Sequence, residues 1–168
     1  ARATRAGLHE RDIKSVVDGV FAALGSPAPA FAHIVATGPH ALELHYAGDD
    51  GQLADGDLMV VDIGATWDLH CADVTRTYAV SGRLTPRQLE LYQVVLDAHL
   101  SVVAGMRVGV DSLSSASQWV RAHFAASPLR AKNAAGADAI LDTFFIHSLG
   151  HYVGRAVHGE DTGWDSRQ

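Results

Sequence analysis

The segment Leu58–Ile63 carries five apolar side chains and one interruption, Asp62. A continuous apolar run of this length, rich in β-branched residues, predicts a buried strand rather than a helix. A carboxylate inside such a strand is expensive to bury without a strong partner. Further along, Asp73 precedes Val74–Val80, a more weakly alternating segment that reads as the partner strand. Folding back through the Gly64-Ala65-Thr66 region would put both carboxylates on one face. Two readings follow. Either a metal ion holds the pair, or Asp62 pairs with Arg76 while Asp73 is an ordinary turn residue.

The surrounding pattern predicts an α+β chain with helices on an antiparallel sheet. Leu8, Ile13, Val16, Val17, Val20, Phe21 and Leu24 recur at helical steps, so 8–24 reads as a helix stopped by Gly25. Phe31–Thr37 reads as a strand. Thr85-Pro86 opens a helix to about Ala104, whose inner surface is expected at Leu89, Tyr92, Val95, Leu96, His99 and Val103. Asp111-Ser112 caps another helix over 112–125, Pro128–Gly136 is a loop, and Phe144–Gly154 reads as strand-like.

Composition narrows the function. The 168 residues include 13 Lys and Arg against 19 Asp and Glu, a net charge of −6, which disfavours a nucleic-acid backbone as partner. Length alone allows about one domain. The single cysteine, Cys71, rules out a disulfide scaffold or an all-cysteine zinc site and reads as a small buried hydrophobe. No apolar run has the length of a membrane span, and a cytoplasmic setting is the expectation. The phosphate-loop, dinucleotide and Gly-x-Ser-x-Gly fingerprints are absent. His147-Ser148-Leu149-Gly150-His151 has the outer spacing of a zincin helix, with Ser148 where the catalytic Glu belongs.

Histidines supply the second constellation. His33, His40 and His45 fall in one stretch, and His147, His151 and His158 in another. On a strand, 147 and 151 would share a face, and a bend would have to return His158 to them. Asp62, Asp73 and one imidazole would form a hard, oxygen-rich ligand set suited to manganese, cobalt or zinc. The chemistry open to such a set is metal-assisted hydrolysis. Trp67, Trp119 and Trp164 read as packing residues and Arg76 as a partner for a nearby carboxylate.

Taken in order, Ile34–Gly38, Leu44-His45-Tyr46, Asp57–Ala65, Ala72–Thr77, Phe144–Gly154 and Val157-His158 resemble the pita-bread metallopeptidases, and within them the Xaa-Pro branch of aminopeptidase P and prolidase. The resemblance implies two divalent ions, manganese first, with cobalt or zinc as alternatives. It implies Asp62 as ligand of one ion, Asp73 as a carboxylate bridging both, and His151 as the histidine ligand. His45 and His158 would touch the substrate and move protons, and His147 would line the pocket for proline. The implied partner is a proline-containing peptide or dipeptide, and the implied assembly a homodimer. The family completes its site with two downstream Glu residues, which neither Glu160, Asp161 nor Asp165 matches in context. The chain is therefore expected to be part of a catalytic domain, 1–168, without the N-terminal domain and the C-terminal part of that domain. A metal-free creatinase-like hydrolase and a catalytically silent binding module are the competing readings.

Overall fold

The computed structural model describes residues 3–159, which divide into two compact units. The first takes residues up to Thr85 and again 152–159; the second is Pro86–His151.

In the first unit, helix α1 (Glu10–Ala23) starts at His9, whose amide donates to the Asp12 carboxylate at 2.8 Å. Gly25, at φ +87°, ends it: its amide donates to the Ala22 carbonyl, and the next amide, Ser26, to Phe21. Only glycine takes that left-handed turn without strain. The buried side of α1 is narrower than its apolar pattern predicts. Glu10 and Ile13 are buried, whereas Val16, Val20 and Leu24 are exposed.

Strands β1 (Ile34–Thr37), β2 (Leu58–Ile63) and β5 (Val74–Ala79) form an antiparallel sheet with β2 in the centre. Burial alternates along β2. Met59 and Val61 join Ile13, Val35, Leu53 and Val80 in the core beneath α1. Leu58, Val60 and Asp62 therefore lie on the opposite face. Between β2 and β5 runs a small hairpin of β3 (Thr66–Trp67) and β4 (His70–Cys71). The chain reverses at Asp68 and Leu69, both at positive φ, and not at Gly64–Thr66 as expected. Gly64 has another task. A Cβ there would stand 1.9 Å from the Ala72 carbonyl oxygen, so its bare backbone lets the two arms close.

The second unit contains α2 (Pro86–Gly105), α3 (Leu113–Ala126), a hairpin of β6 (Arg130–Lys132) and β7 (Asp138–Ile140), and a short 3-10 helix, Leu141–Phe144. Ser112 caps α3, accepting from the Ser115 amide. The core of this unit is Ala98, Val120, Phe124 and Leu141, with Leu91, Val94 and Val102 packed against it.

Three expectations are corrected here. The inner face of α2 is Leu91, Val94, Ala98 and Val102, while Leu89, Val95 and Val103 are exposed; a helix apolar on nearly all sides offers more than one stripe. The 128–136 segment contains β6. Residues 144–154 form no strand: after the 3-10 helix the backbone is irregular, with no strand beside it to complete a ladder among the described residues. No helix among the described residues is long and apolar enough to cross a membrane.

Candidate active site

Register brings the two carboxylates together. Asp62 stands opposite Thr75 in the β2–β5 ladder, and side chains two apart on a strand share a face. Asp73, two residues before Thr75, therefore reaches the same face as Asp62, and the two carboxyl groups hydrogen-bond. Arg76 is one residue out of phase. It lies opposite Val61, and its guanidinium donates to the Thr75 carbonyl at 2.7 Å. The ion pair between Asp62 and Arg76 is not formed.

The Asp62 carboxyl is held above its ordinary range. Burial pushes it up most, and the Thr75 hydrogen bond pulls it back. The Asp73 charge and the shared carboxyl hydrogen bond raise it again, and His45 lowers it. Its Oδ1 is buried with no hydrogen-bond partner. A buried acceptor left open beside a second carboxylate is costly in a metal-free protein. A divalent cation would satisfy both features, so the pair fits that group. Among the described residues no set of three such donors converges as a metal cluster.

The pair opens into a cavity of about 350 Å³, lined also by Phe31, His45, Tyr46 and His158. That volume lies within the range of small-ligand sites. His45 arrives on the 38–51 segment between β1 and β2, at φ +55°. His158 is brought in by a bent stretch fastened to β4: Cys71 N donates to the Gly154 carbonyl at 2.7 Å, and Gly159 N to the Tyr152 carbonyl at 2.8 Å. Cys71 is only half-buried, its thiol 3.6 Å from the Arg155 carbonyl.

His147 and His151 belong to the second unit and are both exposed. His147 Nδ1 donates to the Ser148 carbonyl, and its ring meets Phe145 edge-on. His33 also lines the cavity of the carboxylate pair, buried among Phe21 and Phe31, with Asp18 3.3 Å from its Nε2. His40 stacks on Tyr46. Trp67 is largely exposed, covering Gly25 with its ring edge. Glu160, Asp161, Trp164 and Asp165 lie outside the described residues. Sequence reasoning missed Thr75 and Glu10. Thr75 was within reach of the hairpin register once Asp62 was placed, but Glu10 had no signal beyond its position in a first helical turn.

An α+β chain that presents paired, partly buried carboxylates and imidazoles to one cavity has the makings of a metal-dependent hydrolase site. Comparison with known proteins agrees in class. The model of metallopeptidase family M24 matches residues 1–167, and the chain belongs to that family. A probable Xaa-Pro aminopeptidase of Sordaria macrospora is 31% identical over 167 residues, which cover 92% of this chain and 34% of that protein. Prolidase from Pyrococcus furiosus superposes with a TM-score of 0.80 at 29% identity, covering 93% of this chain and 42% of that one. For Pseudomonas aeruginosa aminopeptidase PepP the values are 0.77 and 28%, with 92% and 36% covered. The architecture is thus an incomplete pita-bread fold. The chain spans about a third of the length of the curated relatives it matches.

Proposed function

We propose that the full-length protein hydrolyses the bond preceding proline in Xaa-Pro peptides or dipeptides, using two divalent ions. The observation that carries this reading is the Asp62–Asp73 pair, with a buried Asp62 Oδ1 that lacks a hydrogen-bond partner, in a cavity lined by His45 and His158. The family membership and relatives called Xaa-Pro aminopeptidase and prolidase support it.

Asp62 and Asp73 would hold the ions, with His151 as the imidazole ligand and further carboxylates from outside this chain. Bound divalent ions supply Lewis acidity, lowering the pKa of water and polarising a carbonyl. His45 and His158 orient the substrate and exchange protons with it. His147 lines the proline pocket. Manganese is the first choice of ion, with cobalt or zinc as alternatives, since carboxylate and imidazole donors suit these ions. In this reading residues 1–168 are part of a larger catalytic domain in a cytoplasmic homodimer, and the substrate is a proline-containing peptide.

The test is metal analysis and Xaa-Pro peptide turnover by the full-length protein, alone and as Asp73→Ala. Bound metal with turnover that disappears in Asp73→Ala is expected. Turnover unchanged in Asp73→Ala, or retained by a metal-stripped enzyme, sinks the proposal.

A further inference from the structure

Glu10, which is not among the residues lining the cavity, is hydrogen-bonded at both carboxylate oxygens. It sits in the first turn of α1, fully buried, where a carboxylate is favoured by the helix dipole. Its Oε1 accepts from the Thr37 amide at 2.8 Å and from His40 Nδ1 at 3.0 Å. Its Oε2 accepts from the Tyr46 hydroxyl at 3.0 Å and from the Gly51 amide at 2.9 Å. Two backbone bonds run alongside: Glu10 N donates to the Gly51 carbonyl and Arg11 N to the Asp49 carbonyl. One carboxylate thus ties together the end of β1, the 3-10 helix Gly38–Leu42, Tyr46 and the return toward β2.

Three of its four partners, His40, Tyr46 and Gly51, belong to the segment that carries His45, and the fourth, Thr37, immediately precedes it. His45 holds a left-handed φ of +55°, a conformation that non-glycine residues keep only when the surroundings enforce it. Its neighbour Tyr46 is buried, stacks on His40 with ring centres 4.4 Å apart, and gives its hydroxyl to Glu10. The glycines confirm how closely the segment is drawn in. A Cβ on Gly51 would lie 2.7 Å from the Glu10 carboxylate, and one on Gly48 would lie 2.1 Å from the Tyr46 hydroxyl oxygen.

We propose that Glu10 is a positioning residue, which acts through Tyr46 to hold His45 at the cavity of Asp62 and Asp73. The inference rests on the proposed role of His45 in turnover. Glu10 touches neither carboxylate of the pair, and its hydrogen bonds fix the backbone on both sides of one imidazole. Removing the Tyr46 hydroxyl cuts the link nearest His45 and leaves the other bonds to Glu10 in place.

The test uses the full-length protein as Tyr46→Phe and Glu10→Gln, each also in a His45→Ala background. Turnover of an Xaa-Pro peptide and amide hydrogen exchange of residues 43–47 are both measured. Tyr46→Phe is the milder change and keeps the test open if Glu10→Gln folds poorly. In the His45-containing protein, kcat should fall about 10- to 100-fold with little change in KM, as expected for a displaced reacting group. Exchange at 43–47 should quicken, while manganese affinity stays as in the parent. In the His45→Ala background neither variant should lower kcat further. Unchanged exchange and kcat in folded variants overturn the proposal, as does an equal kcat loss with and without His45. If the parent protein cleaves no Xaa-Pro peptide, the functional reading falls. Exchange at 43–47 then decides whether Glu10 and Tyr46 restrain the segment.

Discussion

Asp62 stands opposite Thr75 across the central pair of strands, and that single register places a second carboxylate, Asp73, on the same face. The arrangement is poor for stability. Burial and the Asp73 charge both oppose ionisation of Asp62, and its Oδ1 has no hydrogen-bond partner. Sites that bind charge commonly carry such a cost.

Asp62→Asn should therefore stabilise the metal-free protein while removing its response to cations. The expected gain is about 1–3 kcal/mol, the scale of an unsatisfied buried polar group. The sign with pH is definite. A carboxyl whose folded pKa is raised lowers stability as pH climbs from its unfolded value, about 3.9, through the folded one. The destabilisation is complete above that window. Thermal melts in EDTA should show Asp62→Asn above the parent at pH 7 and closer to it at pH 4. Melts with manganese should shift upward only for the parent. A lower melting point for Asp62→Asn in EDTA would show that the carboxylate is not under strain.

Thr75→Val removes the one neutral hydrogen bond that favours the ionised form of Asp62. Without it the proton competes better against a cation. Manganese affinity at pH 6 should weaken by about tenfold, the equivalent of one hydrogen bond to a charged group, and recover partly at pH 8. Titration calorimetry at the two pH values measures this; equal weakening at both would place the effect in geometry rather than protonation.

How much of this was legible in the sequence varies by element. The bounds of β2 follow from its apolar run, and the shared face of Asp62 and Asp73 follows from the hairpin. The choice between the cation reading and an Asp62–Arg76 pair required the register, because a shift of one residue exchanges which face Arg76 occupies. The 144–154 segment looked like a strand because its apolar residues and histidines mimic one. Composition carries no information about whether a neighbouring strand is present to accept its hydrogen bonds. Glu10 escaped notice because its four partners lie between 37 and 51, and a local pattern on α1 contains none of them.

Glu10 titrates in the opposite sense to Asp62. Burial pushes its carboxyl up, but the hydrogen bonds from Thr37, His40, Gly51 and Tyr46 together hold it below the usual range. Its contribution is in full force above the unfolded value, about 4.3, and is lost as pH falls through the lower folded value. At pH 7, Glu10→Gln turns two acceptor positions into a donor facing the Tyr46 hydroxyl and the Gly51 amide, which costs about 1–3 kcal/mol or more. Urea midpoints should differ widely between parent and variant at pH 7 and converge below pH 4. A gap constant with pH would mean that shape, and not charge, makes the difference.

Gly64→Ala tests the close approach on which the carboxylate pair depends. An added Cβ would meet the Ala72 carbonyl oxygen at 1.9 Å and the Phe31 ring at 2.7 Å. The first contact is with backbone and cannot be relieved by a rotamer change, so the strand ends must part. Overpacking of this kind costs about 1–3 kcal/mol, with backbone clashes at the upper end. Because Ala72 precedes Asp73, the displacement should separate Asp73 from Asp62 and weaken manganese binding as well as lower the urea midpoint. Arg76→Ala is the matching control: its guanidinium is exposed and bonded only to its own strand's Thr75 carbonyl. Substitutions at such surface positions usually stay within about 0.5 kcal/mol. If Arg76→Ala instead matched Gly64→Ala in both measurements, an ion pair with Asp62 would have to be restored to the account of this site.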